Sequence, residues 1–114
     1  MLRNSVPSKA PTPSETYDAE VDRITSRRGA VYGHPIENFR RTADLWAVLF
    51  GHPVTELQVA AAMRLVKEAR LMESPRHIDS LVDISGYART SAMCIDKLQE
   101  RDNALDDKAT NAMR

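Results

Sequence analysis

Asp79 and Asp83 stand four residues apart in the run Asp79 to Ala88 (DSLVDISGYA), and two carboxylates at that spacing can share one cation. On a helix with Ile78 at zero, Asp79 falls near 100°, Asp83 near 140°, Gly86 near 80° and Thr90 near 120°, taking about 100° per residue. Both acids then leave adjacent turns along one stripe at the border of an apolar face. Gly86, lacking a side chain, leaves open space one turn further on. Mg²⁺ commonly takes one or two carboxylates together with substrate phosphates, so a magnesium–phosphate site is the sharpest chemistry this stripe offers. The plainer reading is a pair of solvated acids near a helix start, favoured there by the helix dipole.

Cations precede the acids. Lys67 and Arg70 are three residues apart on the preceding helical segment. With Leu57 at zero, Arg70 lies near 220°, beside the apolar sector, and Glu68 near 20°, away from it, at about 100° per residue. Such cations can neutralise phosphate or reach an aspartate across a bundle. They can equally snorkel, with stems on the core and heads in water. His77, one turn before the aspartates, is either a third ligand or a solvated histidine at a helix start.

A third cluster is Tyr32-Gly33-His34-Pro35, leading into Glu37 and Asn38. A helix N-terminus attracts anions, and an aromatic ring with an imidazole can stack on or bind a base, which makes Tyr32 and His34 candidate nucleotide contacts. The same residues also suit a tight turn with Tyr32 packed on the bundle. Trp46 reads as a core anchor and Cys94 as an inert, apolar-flanked thiol.

These groups need helices to hold them. After a leader at 1–13 (MLRNSVPSKAPTP), Tyr17, Val21 and Ile24 lie on one face of a first helix starting at Ser14. That helix is expected to stop near Arg28, with Gly29 in a left-handed turn. Pro35 opens a second helix with the stripe Ile36, Phe39, Ala43, Trp46 and Phe50, ended by Gly51-His52-Pro53. Thr55 with Gln58 forms a capping box for a third helix running to about Met72. Val59, Leu65, Val66, Ala69 and Met72 cover much of its girth, which predicts a central helix. A fourth begins near Pro75, with Ile78, Leu81, Val82, Ser85, Ala88, Ala92 and Ile95 on one face. The reading is an all-α antiparallel bundle of three to four helices over 14–98, its core at about 30–98, with a frayed or disordered tail at 99–114.

Composition bounds the partners. At 114 residues there is room for one domain, and 42% hydrophobic with 28% charged residues is ordinary for a globular protein. Sixteen basic and sixteen acidic residues cancel, which argues against nucleic acid despite the pairs Arg27-Arg28 and Arg40-Arg41. A single cysteine excludes an intrachain disulfide framework. No apolar run approaches the ~18–20 residues of a membrane span, and residues 1–13 hold no signal-like apolar stretch, so a cytoplasmic protein is expected. The apolar surface left by a short first helix and a nearly all-round apolar third predicts a homodimer.

In order along the chain, Tyr32-Gly33-His34-Pro35 with Asn38-Phe39, Thr42 to Trp46 (TADLW), Met63 to Arg70 (MRLVKEAR) and Asp79 to Ala88 resemble a family of small proteins of tailed bacteriophages, including mycobacteriophages. The likeness spans roughly residues 28–95, and the family name carries no function. More distantly, Asp79 to Ala88 behind a Lys/Arg-bearing helix is similar to the second metal-binding helix of the all-α MazG-like nucleoside triphosphate pyrophosphohydrolases. That resemblance implies a dimeric or tetrameric bundle that holds Mg²⁺ and cleaves a nucleotide to monophosphate and pyrophosphate. It implies Asp79 and Asp83 as metal ligands, Lys67 and Arg70 as the phosphate-neutralising catalytic pair, and Tyr87 or Asn38 in a nucleotide pocket.

One departure bears on activity. The superfamily supplies an E-x-x-E pair from an earlier helix, whereas the corresponding stretch here, Ile36 to Arg41 (IENFRR), offers only Glu37 as a metal ligand. Glu20 and Asp44 are alternative donors. The expectation is therefore a Mg²⁺-dependent pyrophosphohydrolase-like phage protein with altered or lost activity, or else a non-catalytic helical binding module.

Overall fold

Capping chemistry sets where each helix begins. The computed structural model describes residues 9–32 and 34–113, with side chains described outside 27–33. It contains four helices, α1 (Pro13–Tyr32), α2 (Pro35–Phe50), α3 (Glu56–Glu73) and α4 (Ile78–Ala112), and no strand among the described residues. The all-α bundle expected from periodicity is the observed fold.

α1 starts one residue earlier than its apolar rhythm suggests, because Thr12-Pro13-Ser14-Glu15 is itself a capping box. The Thr12 hydroxyl accepts from the Glu15 amide at 3.2 Å, and the Glu15 carboxylate accepts from the Thr12 amide at 3.0 Å. At its other end α1 runs through Gly29 to Tyr32 instead of stopping at Arg28. One glycine costs a helix only ~1 kcal/mol relative to alanine, and its neighbours Arg27, Arg28 and Ala30 are strong helix formers. The break falls instead at His34, held extended (φ −70°, ψ 135°) before Pro35.

α2 opens as expected, with Pro35 in its first turn and the His34 side chain accepting from the Ile36 amide. It ends on Gly51 at φ +76°, whose amide donates to the Ala47 carbonyl at 2.9 Å. α3 carries the complete Thr55–Gln58 capping box. α4 begins at Ile78, three residues after Pro75, and continues without interruption to Ala112. Residues 102–113 are all exposed, so its last three turns project beyond the bundle.

Two faces differ from expectation. α3 is not enclosed: Val59 and Ala60 are buried, while Leu65, Val66, Ala69 and Met72 face outward. The central element is α4, which packs against each of the other three helices. Its buried residues are Ser80, Val82, Gly86, Thr90 and Cys94, whereas Leu81, Ala88, Ala92 and Ile95 are exposed. Gly86, Thr90 and Cys94, one turn apart, make a narrow seam that lets neighbouring helices come close, so small residues rather than the largest apolar ones mark the packed side. A cluster of Ile36, Phe39, Ala43, Val59, Ala60 and Cys94 forms the core where α2, α3 and α4 meet, with Trp46, Met63 and Tyr87 against it.

α1 is clamped to α4 largely by polar groups. The Tyr17 hydroxyl bonds to Ser85, and Arg89 donates to the Thr25 hydroxyl. A Cβ added to Gly86 would lie 2.8 Å from Ile24 Cδ1, so side chain and backbone already touch there. No described helix is long and apolar enough to cross a membrane.

Candidate functional site

The aspartate stripe meets the cation helix at one point. Because Asp83 points along the packed seam of α4, its Oδ2 comes within 3.0 Å of Lys67 Nζ on α3. The Lys67 side chain is 22% exposed and that of Asp83 40%, which places the pair at the rim of the bundle with one side open to water. A pair so open to water contributes about as modestly as an exposed ion pair and escapes the desolvation cost of a buried one.

Asp83 also lines a cleft of about 210 Å³ between α1 and α4, together with Ile24, Thr25, Gly86, Tyr87 and Thr90. Local hydrogen bonds use the hydroxyl protons of both threonines. Thr25 donates to the Val21 carbonyl at 2.6 Å and Thr90 to the Gly86 carbonyl at 3.0 Å. The Thr25 oxygen also accepts from Arg89, so acceptor capacity toward the cleft rests mainly on Thr90 and the Asp83 carboxylate. Tyr87 supplies the aromatic wall, half-buried and tilted 33° against Phe39 at a centroid distance of 6.4 Å. The cleft exists because Gly86 carries no side chain while Ile24 reaches across from α1.

Of the residues singled out in the sequence, Lys67, Asp83 and Tyr87 are thus brought together. Asp79 is exposed one turn before Asp83. Arg70, Glu37 and Asn38 are exposed, and none of them lines this cleft. His34 Nδ1 is engaged in capping α2, accepting from the Ile36 amide at 3.1 Å. His77 Nδ1 bonds to the buried Ser80 hydroxyl at 2.7 Å. The Tyr32 side chain, and those of Arg27 and Arg28, lie outside the described residues. Glu20 is paired with Arg23 at 2.7 Å.

No group of three or more His, Cys, Asp or Glu side chains among the described residues is placed to hold a metal ion. The carboxylates on the stripe are therefore Asp79 and Asp83, and Asp83 already has Lys67 as its counter-ion.

The sequence reading placed Ile24 on one face of α1 without a role in the site, and it missed Thr25 and two cations that reach between helices, Arg64 from α3 and Arg89 from α4. Arg64 donates to Ser91 at 3.2 Å, and Arg89 sits 3.9 Å from Asp22. Thr25 had a signal, since it follows Val21 by four residues and continues the buried face of α1.

Against known proteins, residues 18–95 match a family model described as a domain of unknown function, DUF6378. That span holds α1 from Asp18 onward, the whole of α2 and α3, and α4 as far as Ile95, so every residue of the cleft lies inside it. The chain is 35% identical over 88 residues to the Gene 55 protein of Mycobacterium phage D29, covering 76% of this chain and 56% of that protein. It is 46% identical over 66 residues to the Gene 55 protein of Mycobacterium phage L5, covering 57% of this chain and 42% of that one. The chain thus spans about half the length of the curated relatives it matches. No solved structure matches it.

Proposed function

The chain belongs to the DUF6378 family, and we propose that it is a helical binding module that holds a phosphate-bearing nucleotide without turning it over, in the cytoplasm of a phage-infected cell. The observation that carries this reading is the Lys67–Asp83 pair at 3.0 Å on the rim of the α1/α4 cleft. An ammonium with three donors and one open side can exchange its carboxylate for a phosphate oxygen. The acceptor-lined, Tyr87-walled cleft beside it then takes the base or sugar. At about 210 Å³ it is smaller than the roughly 300–1,000 Å³ of a full small-molecule pocket, so part of the ligand stays in solvent.

A resident Mg²⁺ does not fit the donor set well. Two carboxylates are offered, one already paired with Lys67, and Glu37 stands exposed in the first turn of α2, outside the cleft. An ion that arrives with the nucleotide's phosphates needs only one or two carboxylates, and Asp79 and Asp83 would meet it from adjacent turns. Such an ion would supply charge neutralisation.

The second reading, a Mg²⁺-dependent pyrophosphohydrolase similar to the MazG-like enzymes, is favoured by that aspartate spacing with Lys67 opposite. Thermal melting with a deoxynucleotide panel, with and without Mg²⁺, followed by a pyrophosphate-release assay, separates the two. Ligand at 100 times its Kd stabilises by about 2.7 kcal/mol, a shift of about 10 °C for a domain this size. The proposal expects that shift, its loss in Lys67→Ala, and no pyrophosphate. Mg²⁺-dependent release that vanishes in Asp83→Asn would establish the enzyme instead, and no shift with any nucleotide would sink both readings.

A further inference from the structure

Resting on the nucleotide-binding reading above, we infer that Arg64 is a second phosphate contact beside Lys67, and that the two together hold the single phosphate of a nucleoside monophosphate without a metal ion. Asp83, Tyr87 and Ser91 follow one another at one-turn spacing along α4. Two cations of α3 reach that stripe. Lys67 Nζ lies 3.0 Å from Asp83 Oδ2, and Arg64 Nη1 donates to Ser91 Oγ at 3.2 Å. Their contact points therefore flank Tyr87, whose side chain walls the cleft. Residues three apart on a helix have Cβ atoms only ~5–6 Å from each other, so both heads can reach oxygens of one tetrahedral phosphate.

Arg64 lacks the counter-charge that its setting calls for. It is partly buried, yet its partner is a neutral hydroxyl. Ser91 gives its own proton to the Tyr87 carbonyl at 2.7 Å and so meets the guanidinium with a lone pair alone. Among the described residues no carboxylate pairs with Arg64, whereas Arg23, Arg40 and Arg89 each face one. Ser91 accepts from one of five N–H donors, and the planar fork of the others suits two oxygens of a phosphate. A cation drawn partly out of water without an anion gains more from acquiring one than an exposed lysine does.

Charge sets the number of phosphates. Lys67 and Arg64 supply two positive charges, and a phosphate monoester carries roughly −1.5 to −2 at neutral pH. A monophosphate that takes the place of the Asp83 carboxylate on Lys67 is thus matched by the two cations. Further phosphates add negative charge where Asp83, and Asp79 one turn before it, already stand. Like charges so placed oppose binding.

Isothermal titration of the full chain in EDTA tests this, with the four common deoxynucleoside 5′-monophosphates and the corresponding triphosphates as probes. At least one monophosphate should bind, and its triphosphate should bind about 10-fold more weakly or worse. Arg64→Met keeps much of the stem and removes the charge, and should weaken the monophosphate about 10–100-fold, the value of a hydrogen bond to a charged group. Arg64→Lys keeps the charge and loses the fork, and should weaken it by less, about 3–10-fold. Ser91→Ala removes the tether but leaves the guanidinium, so monophosphate affinity should hold within about 3-fold or improve. A purely structural Arg64 would instead make Ser91→Ala and Arg64→Met lose affinity alike. That result would overturn the assignment, as would unchanged affinity in both Arg64 variants, a triphosphate that binds as tightly as the monophosphate in EDTA, or binding that requires Mg²⁺. Each of these leaves nucleotide binding itself intact. Failure of every nucleotide to bind, with or without Mg²⁺, would overturn the nucleotide reading and the role of Arg64 with it.

Discussion

At the residue scale, charged groups act here mainly through local hydrogen bonds. Glu15 is fully exposed, yet the backbone amide and then the hydroxyl of Thr12 hold its carboxyl below the ordinary value. A carboxyl lowered in the folded state binds its proton more readily once unfolded, so its contribution is present above the unfolded pKa and fades as pH falls through the folded one. Acid titration of α1 helicity should accordingly be shallower in Glu15→Gln than in the wild type, as read by circular dichroism between neutral pH and about pH 3. The Lys67–Asp83 contact is open on one side, and a double-mutant cycle through Lys67→Met and Asp83→Asn should give a coupling of only about 0.2–1 kcal/mol. A value several times larger would mark the pair as a structural strut, and would argue against its opening for phosphate.

At the element scale, two glycines have different duties. Gly51 sits at φ +76° with nothing within 4 Å of an added Cβ. Gly51→Ala should therefore cost about 1 kcal/mol through backbone strain alone, read from the denaturant midpoint. Gly86 has ordinary helical geometry but meets Ile24 Cδ1 at 2.8 Å. Alanine there needs only the tip of Ile24 to move and gains about 1 kcal/mol of helix propensity, so Gly86→Ala should be close to neutral. Gly86→Val overfills the same gap and should destabilise by about 1–3 kcal/mol, with partial recovery in combination with Ile24→Ala. It should also abolish nucleotide-dependent melting, since the side chain would occupy the cleft.

At the scale of the whole molecule, the packed region and the chain do not coincide. The radius of gyration of 20.0 Å exceeds the about 13 Å of a compact domain of this length. The exposed end of α4 contributes to that extension. Removing the chain from residue 102 onward should lower helical content and leave the melting temperature nearly unchanged, because the side chains of 102–113 are all exposed. Hydrogen exchange would show the same division, with amides of 102–112 exchanging orders of magnitude faster than those of 80–94.

What the amino-acid order determined was what short-range chemistry can specify. The Thr55–Gln58 box, the opening at Pro35, the stop at Gly51 and the all-α bundle were all legible, because caps and apolar periodicity act over a few residues. The Thr12–Glu15 box was equally local and went unread, since Pro13 looked like part of a leader. Which face of each helix is covered was decided only by tertiary packing. On α4 the larger Leu81 and Ile95 lost to Gly86, Thr90 and Cys94, because close approach between helices rewards small residues in a way that hydrophobicity does not signal. Packing also turned Asp83 toward Lys67 and left Arg70 in water. The encounter of that aspartate with that lysine, sixteen residues apart on different helices, depends on how α3 and α4 lie together. Spacing along a single helix could allow it but not decide it.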